Sequence, residues 1–175
     1  MRRPSQVVVL VEDKRQQGFV RRYLYRLGFS QHDIRFEPLP AGQGSGAQWV
    51  LDRYTKAVIA YRSRAARAQT ALVIGIDADD GSVARRQQQF HDLAARTAGE
   101  RIAQLIPKWS IETWVLCLSG RPVDENQTYR REPGIDEQIP VAASTFFEWS
   151  RSNATPPPHC TPSLLAAIPE VRRLE

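Results

Sequence analysis

Residues 71–82 read ALVIGIDADDGS, an apolar run that meets Asp77, Asp79 and Asp80 and then a glycine. Aspartate is a poor strand former and is costly to bury. Three carboxylates this close repel one another unless a cation lies among them. At a strand end the two-residue period turns Asp77 and Asp79 to the same side. Another carboxylate, Glu12, closes a second apolar run, QVVVLV at 6–11. If the two strands are neighbours, Glu12, Asp77 and Asp79 converge outside the carboxyl ends of a parallel sheet, where ligands gather. Hard oxygen donors of this kind select Mg²⁺ or Mn²⁺, and Asp80 adds a further donor. Glu112, in SIETW, stands in the first turn of a later helix. It is either an acid well placed at a helix N-terminus or a ligand for a second ion.

The elements that must position these residues alternate. QVVVLV (6–11) and ALVIGI (71–76) have the continuous apolar, β-branched character of strands buried on both faces. DIRFEPL (33–39) predicts a shorter strand and RIAQLIP (101–107) a fourth. Helical spacing marks the stretch from Lys14 to a stop at Gly28, then 47–68, 82–98 with Asp80 or Ser82 as cap, and 110–120. The pattern predicts an α/β fold, Rossmann-like, with a mostly parallel four-stranded sheet flanked by helices. Residues 1–120 form this domain. Residues 121–175 form a loop and a C-terminal helical extension packing on it. Within that extension, 121–140 is polar and Pro/Gly-punctuated and reads as loop. A helix follows at 142–152, and a last helix starts at Pro162 with a break near Pro169.

Composition narrows the function classes. The chain has 175 residues, 42% hydrophobic and 25% charged, as expected of one globular domain. No apolar run approaches the ~20 residues that span a bilayer. The opening MRRPSQVVVLVEDK has too short an apolar stretch for a signal peptide, so a cytoplasmic protein without membrane attachment is expected. Cys117 and Cys160 read as small core residues rather than zinc ligands. A net charge of +5 is compatible with a phosphate-bearing partner. Arg53, Lys56, Arg62, Arg64 and Arg67 make one helix basic. Arg53, Lys56, Arg85, Arg86 and Lys108 are the candidate nucleic-acid contacts. AGQGSGAQ lacks the Lys-Ser/Thr ending of a phosphate-binding loop and reads as a turn. Trp49, Trp114 and Trp149 fall in apolar helical patterns and read as core, with Trp109 left open between core and base stacking.

Several chemistries share an Asp-x-Asp. Capping a helix in water is one alternative to metal binding. An EF-hand loop would need a glycine one position later and helices on both sides. A haloacid-dehalogenase-type phosphatase would leave Glu12 idle, and a phosphate-accepting receiver would not use the Asp-x-Asp.

VVVLVEDKRQQGFVRRYLYRLG, followed some 65 residues later by LVIGIDADD, resembles the TOPRIM domain. In that family a glutamate follows the first strand and Asp-x-Asp a later one. GSGAQWV, IDADDG, IPKWSIETWVLCLSG and the closing PSLLAAIPEVRRL also resemble, in order, a branch of small bacterial TOPRIM-like proteins tied to mobile-element or phage-defence systems. The resemblance spans about residues 6–174 and implies Mg²⁺-dependent phosphodiester chemistry. It is shared with topoisomerases, primases, overcoming-lysogenization-defect nucleases and small RNases. By that likeness Asp77 and Asp79 hold a metal at the scissile phosphate, and Glu12 binds metal or takes a proton from the attacking water. A chain of this size lacks the accessory parts of a topoisomerase or primase. The expectation is therefore a hydrolytic nuclease, with DNA favoured over RNA, acting in anti-phage defence beside an ATPase subunit. Asp13 departs from the pattern, standing where the family commonly has glycine. A non-catalytic interaction subunit and a small-substrate phosphatase stay open as alternatives, and a homo-oligomer is compatible with the sequence.

Overall fold

The computed structural model describes residues 3–41, 45–79 and 82–175. Asp80 and the middle of the AGQGSGAQ turn therefore lie outside the described residues. Four strands form one sheet: β1 (Gln6–Val11), β2 (Ile34–Phe36), β3 (Thr70–Gly75) and β4 (Ile102–Leu105). The order is β2-β1-β3-β4 and every pairing is parallel. This is the α/β architecture that the alternating pattern predicts.

Strand periodicity divides the core in two. Val7, Val9 and Val11 of β1, with Ala71, Val73, Ala103 and Leu105, face one layer. That layer comprises α1 (Lys14–Arg26), α4 (Ile111–Leu118), α5 (Ile135–Ser150) and α6 (Pro162–Arg172). Val8 and Leu10, with Leu72, Ile74 and Ile102, face α2 (Gly46–Ala65) and α3 (Val83–Ala94) on the other side. Both faces of β1 and β3 are thus covered, which explains why their sequences are continuously apolar rather than alternating.

Three boundaries differ from expectation. The second strand is cut to Ile34–Phe36, entered through a short 3-10 turn at Gln31–Asp33 whose Ser30 and Asp33 cap each other. Pairing continues only as far as the Glu37 N–H on Val9, and Pro38 and Pro40 beyond it supply no donors. Residues 135–140, expected as loop, belong to α5, which carries Pro140 inside it. An interior proline costs about 3 kcal/mol. However, Ile135, Ile139, Ala142, Ala143 and Phe146 are all buried on one helical stripe, and a large apolar side chain gains roughly 1.5–3 kcal/mol on burial. The stripe outweighs the proline. Likewise α6 runs through Pro169 without the expected break, held by buried Leu164, Ala167, Ile168 and Val171.

The aromatic core lies in the four-helix layer. Trp114 is fully buried, packs edge-on to Phe19, and donates its indole N–H to Ser163 Oγ at 2.8 Å. Cys117 and Cys160 are both buried free thiols. Among the described residues, no helix is long and apolar enough to cross a membrane.

Candidate metal centre

The register of the sheet brings the acidic residues together. Val11 pairs with Gly75, the last residues of β1 and β3, so Glu12 and Asp77 leave adjacent strands side by side. The Asp77 N–H donates to Glu12 Oε2 at 3.3 Å. Asp13 begins α1 as its N-cap, accepting the Gln16 N–H at 2.8 Å. One oxygen from each of Glu12, Asp13 and Asp77 lies within 4.8 Å of the others. They line a cleft of about 350 Å³, together with Asp79, Glu112, Arg130 and the Ser45–Ala47 start of α2.

Gln16 holds this corner in place. It is buried, accepts the Glu12 N–H at 3.3 Å through Oε1, and donates through Nε2 to Asp77 Oδ1 at 2.8 Å. Its amide fits because residue 75 is glycine. A Cβ there would stand 2.8 Å from Gln16 Oε1 and 2.8 Å from Val11 Cγ1. Gly46 plays the same part at the first turn of α2, where a Cβ would fall 2.9 Å from Glu12 Cβ. Two close approaches thus demand glycine, one beneath each carboxylate-bearing strand end or beside it.

Asp79 takes a different position from Asp77. Its backbone is left-handed, with φ of 59°, a region that aspartate tolerates better than most residues. There its carboxylate meets two guanidinium groups. Arg86 donates to Oδ2 at 3.2 Å and, through Nε, to the Asp77 carbonyl at 3.0 Å. Arg130, from the α4–α5 loop, donates to Oδ1 at 2.5 Å and lies 3.6 Å from Asp77 Oδ2. The third member of the tight acidic group is therefore Asp13, while Asp79 lines the same cleft in ion pairs. Glu112 also lines it, buried and bound to Arg15 at 2.6 Å. Arg15 in turn reaches Asp136 at 3.0 Å.

The remaining candidates are spread out. Arg86 fixes the Asp-x-Asp loop. Arg85 is exposed beside it, its backbone N–H on the Ser82 cap. Lys108 donates to Asn126 Oδ1 at 2.6 Å. Arg53 and Lys56 stand along α2, outside the cleft. Arg62 pairs with Glu100 at 2.6 Å.

Burial dominates the electrostatics. It pushes the Glu12 carboxyl up to about 7, with the Asp13 and Asp79 charges adding and its hydrogen bonds to Asp77 opposing. Asp77 is raised well above the usual carboxylate range, first by burial and then by the Glu12 charge. Asp13 is raised as well, chiefly by burial, against its hydrogen bond from Gln16. Such a group favours protons or a metal ion over bare charge. An ion bonded at about 2.1 Å holds its own ligands roughly 3–4 Å apart. A slight closure of these all-oxygen donors would meet that demand, so they fit a hard divalent cation.

Several of these participants carried no sequence signal. Gln16 lies inside the first resemblance segment but has no motif role of its own there, and Arg130 lies in a stretch without a motif, 51 residues from its partner Asp79. Asp13 was read only as a departure from the family glycine, although an aspartate just ahead of a helical stretch is also a cap signal. Gly75 was readable only as a glycine at the end of an otherwise apolar strand, which signals close backbone approach.

Comparison of the chain with protein-family models, with curated proteins and with solved structures finds no match in any of the three.

Proposed function

We propose that the cleft binds Mg²⁺ or Mn²⁺ and that the protein is a TOPRIM-like nuclease hydrolysing phosphodiester bonds in nucleic acid. In its proposed setting it is the effector of a bacterial anti-phage system, acts in the cytoplasm beside an ATPase subunit, and prefers DNA. The observation that carries the chemistry is the meeting of Glu12, Asp13 and Asp77 at the carboxyl ends of adjacent parallel strands. Glutamate after the first strand and Asp-x-Asp after the third also match the order of the family resemblance.

When bound, the ion supplies Lewis-acid polarisation of a phosphate and an acidified water. Glu12, Asp13 and Asp77 hold it. Glu12 would bind the ion or take a proton from the attacking water. Gln16 keeps Asp77 aimed by occupying one oxygen and leaving the other toward the cleft. Arg130 neutralises Asp77 and Asp79 and stands where phosphate oxygens would arrive. Asp79, on the same cleft, would supply a further ligand.

The test is incubation of purified protein with DNA and RNA in Mg²⁺ or Mn²⁺. Cleavage should fall at least a hundredfold in Asp77→Asn and in Glu12→Gln. Unchanged cleavage in either variant sinks the assignment. The Arg130 ion pairs also favour one second reading, a self-neutralised fold used only for docking to a partner. Calorimetry separates the two: micromolar or tighter Mn²⁺ binding contradicts a purely structural role.

A further inference from the structure

A groove runs between α2 and the β1–β2 edge of the sheet. β2 has only three residues, and beside it, along α2, the groove has a volume of about 250 Å³. Val8 and Leu10 line it, and Arg53, Lys56 and Arg64 stand along its α2 side. These three cations have no carboxylate partner among the described residues; Arg53 instead lies 4.2 Å over the Trp49 ring. By contrast, Arg62, on the same helix, is ion-paired with Glu100. Glu37, the one acid in the groove, lies 3.7 Å from Arg35.

Residues 49, 53, 56, 60 and 64 repeat at intervals of three and four, so they share one face of the helix. That face leads to the cleft, because the first residues of α2 line the acidic site. From Gly46 to Arg64 the helix rises about 27 Å. This suits the lower end of the ~4–16 nucleotides that single-strand sites cover. Three cations in a row along one helix face match the phosphates of a single strand running beside it, its bases free to stack on a partly exposed ring such as Trp49. We infer that the α2 groove binds single-stranded nucleic acid and delivers it to the acidic cleft. The delivery rests on the phosphodiester reading above; the binding stands on the groove itself.

The experiment is fluorescence anisotropy of a labelled 12-nucleotide oligothymidylate in EDTA, across a salt series. Wild type is compared with Arg53→Glu/Lys56→Glu/Arg64→Glu and with a charge-matched control, Arg22→Glu/Arg26→Glu/Arg131→Glu. The groove variant should bind at least tenfold more weakly, with the salt slope reduced by roughly two for three lost phosphate contacts. The control should stay within threefold. A duplex of equal length should bind wild type at least tenfold more weakly than the single strand. Equal losses in both variants, no loss in the groove variant, or tighter duplex binding each overturns the inference. Displacement of the oligonucleotide by polyglutamate at equal charge concentration overturns it too, since the groove would then read charge alone. If the groove variant does not fold, the corresponding glutamine triple replaces it, with a loss of at least fivefold expected and none overturning the proposal. Because binding is read without metal, a wild type that binds but never cleaves defeats the nuclease reading and leaves the groove standing.

Discussion

Arg130 shows how a single side chain sets the state of the cleft. Its guanidinium neutralises Asp77 and Asp79, so an incoming divalent ion must compete with a charge already in place. Removing that charge by Arg130→Gln should tighten Mn²⁺ binding about five- to tenfold, a gain of roughly 1–1.4 kcal/mol. Isothermal titration with both proteins checks it, and weaker binding by the variant would show that Arg130 supports the ion instead. Without metal the same variant should unfold more easily, because the carboxylates lose a counter-charge. Arg130 is half-exposed, which keeps either effect modest.

At the scale of elements, positioning depends on how closely strand ends and helix starts approach. Gly75→Ala would press a methyl group into Gln16 and Val11. Overpacking of this kind costs about 1–3 kcal/mol, and shifting Gln16 also loosens Asp77. Urea unfolding should record the destabilisation, and titration should record Mn²⁺ affinity falling several-fold. The parent helix α1 should keep its packing on α5, which is made by Phe19 and Tyr23 against Phe146.

The same elements show what the sequence made legible. β1, β3 and the helices between them were readable because burial on both faces leaves continuous apolar runs and helical burial leaves a stripe. The meeting of Glu12 with Asp77 was readable too, since both close such runs. The start of α5 was hidden because Gly134, Pro133 and Pro140 are locally loop-like, and only tertiary packing of its apolar stripe overrides them. Asp79 was expected to act like Asp77 from its two-residue spacing. That period applies to extended backbone, however, and the left-handed turn at Asp79 breaks it. Arg130 could not be read at all, because a long-range ion pair leaves no periodicity in the chain.

For the whole molecule, the raised carboxylates make stability depend on pH in a definite direction. Glu12, Asp13 and Asp77 hold protons more tightly folded than unfolded. Between about pH 4.5 and 7 the native state therefore binds more protons, and stability falls as pH rises. Glu100, Asp33 and Asp124 are shifted the opposite way by their hydrogen bonds, but they act below that window. Urea midpoints of the metal-free protein should decline from pH 5 to pH 8, and Glu12→Gln should flatten the decline. Adding Mn²⁺ at pH 8 should restore about 2.7 kcal/mol at a hundredfold excess over its dissociation constant. A midpoint that rises steadily over this range would contradict the buried-acid picture.

The all-parallel sheet has one more consequence, for handling the protein. Every strand starts at the rim opposite the carboxylates, and Ser5 and Glu175 are fastened there. Ser5 bonds Gln69 just ahead of β3, and Arg101, just ahead of β4, bonds the Glu175 carbonyl. A fluorescent label or surface tether attached at Ser5 or Glu175 should thus project away from the acidic mouth. Immobilised protein should titrate Mn²⁺ with the affinity it shows free in solution.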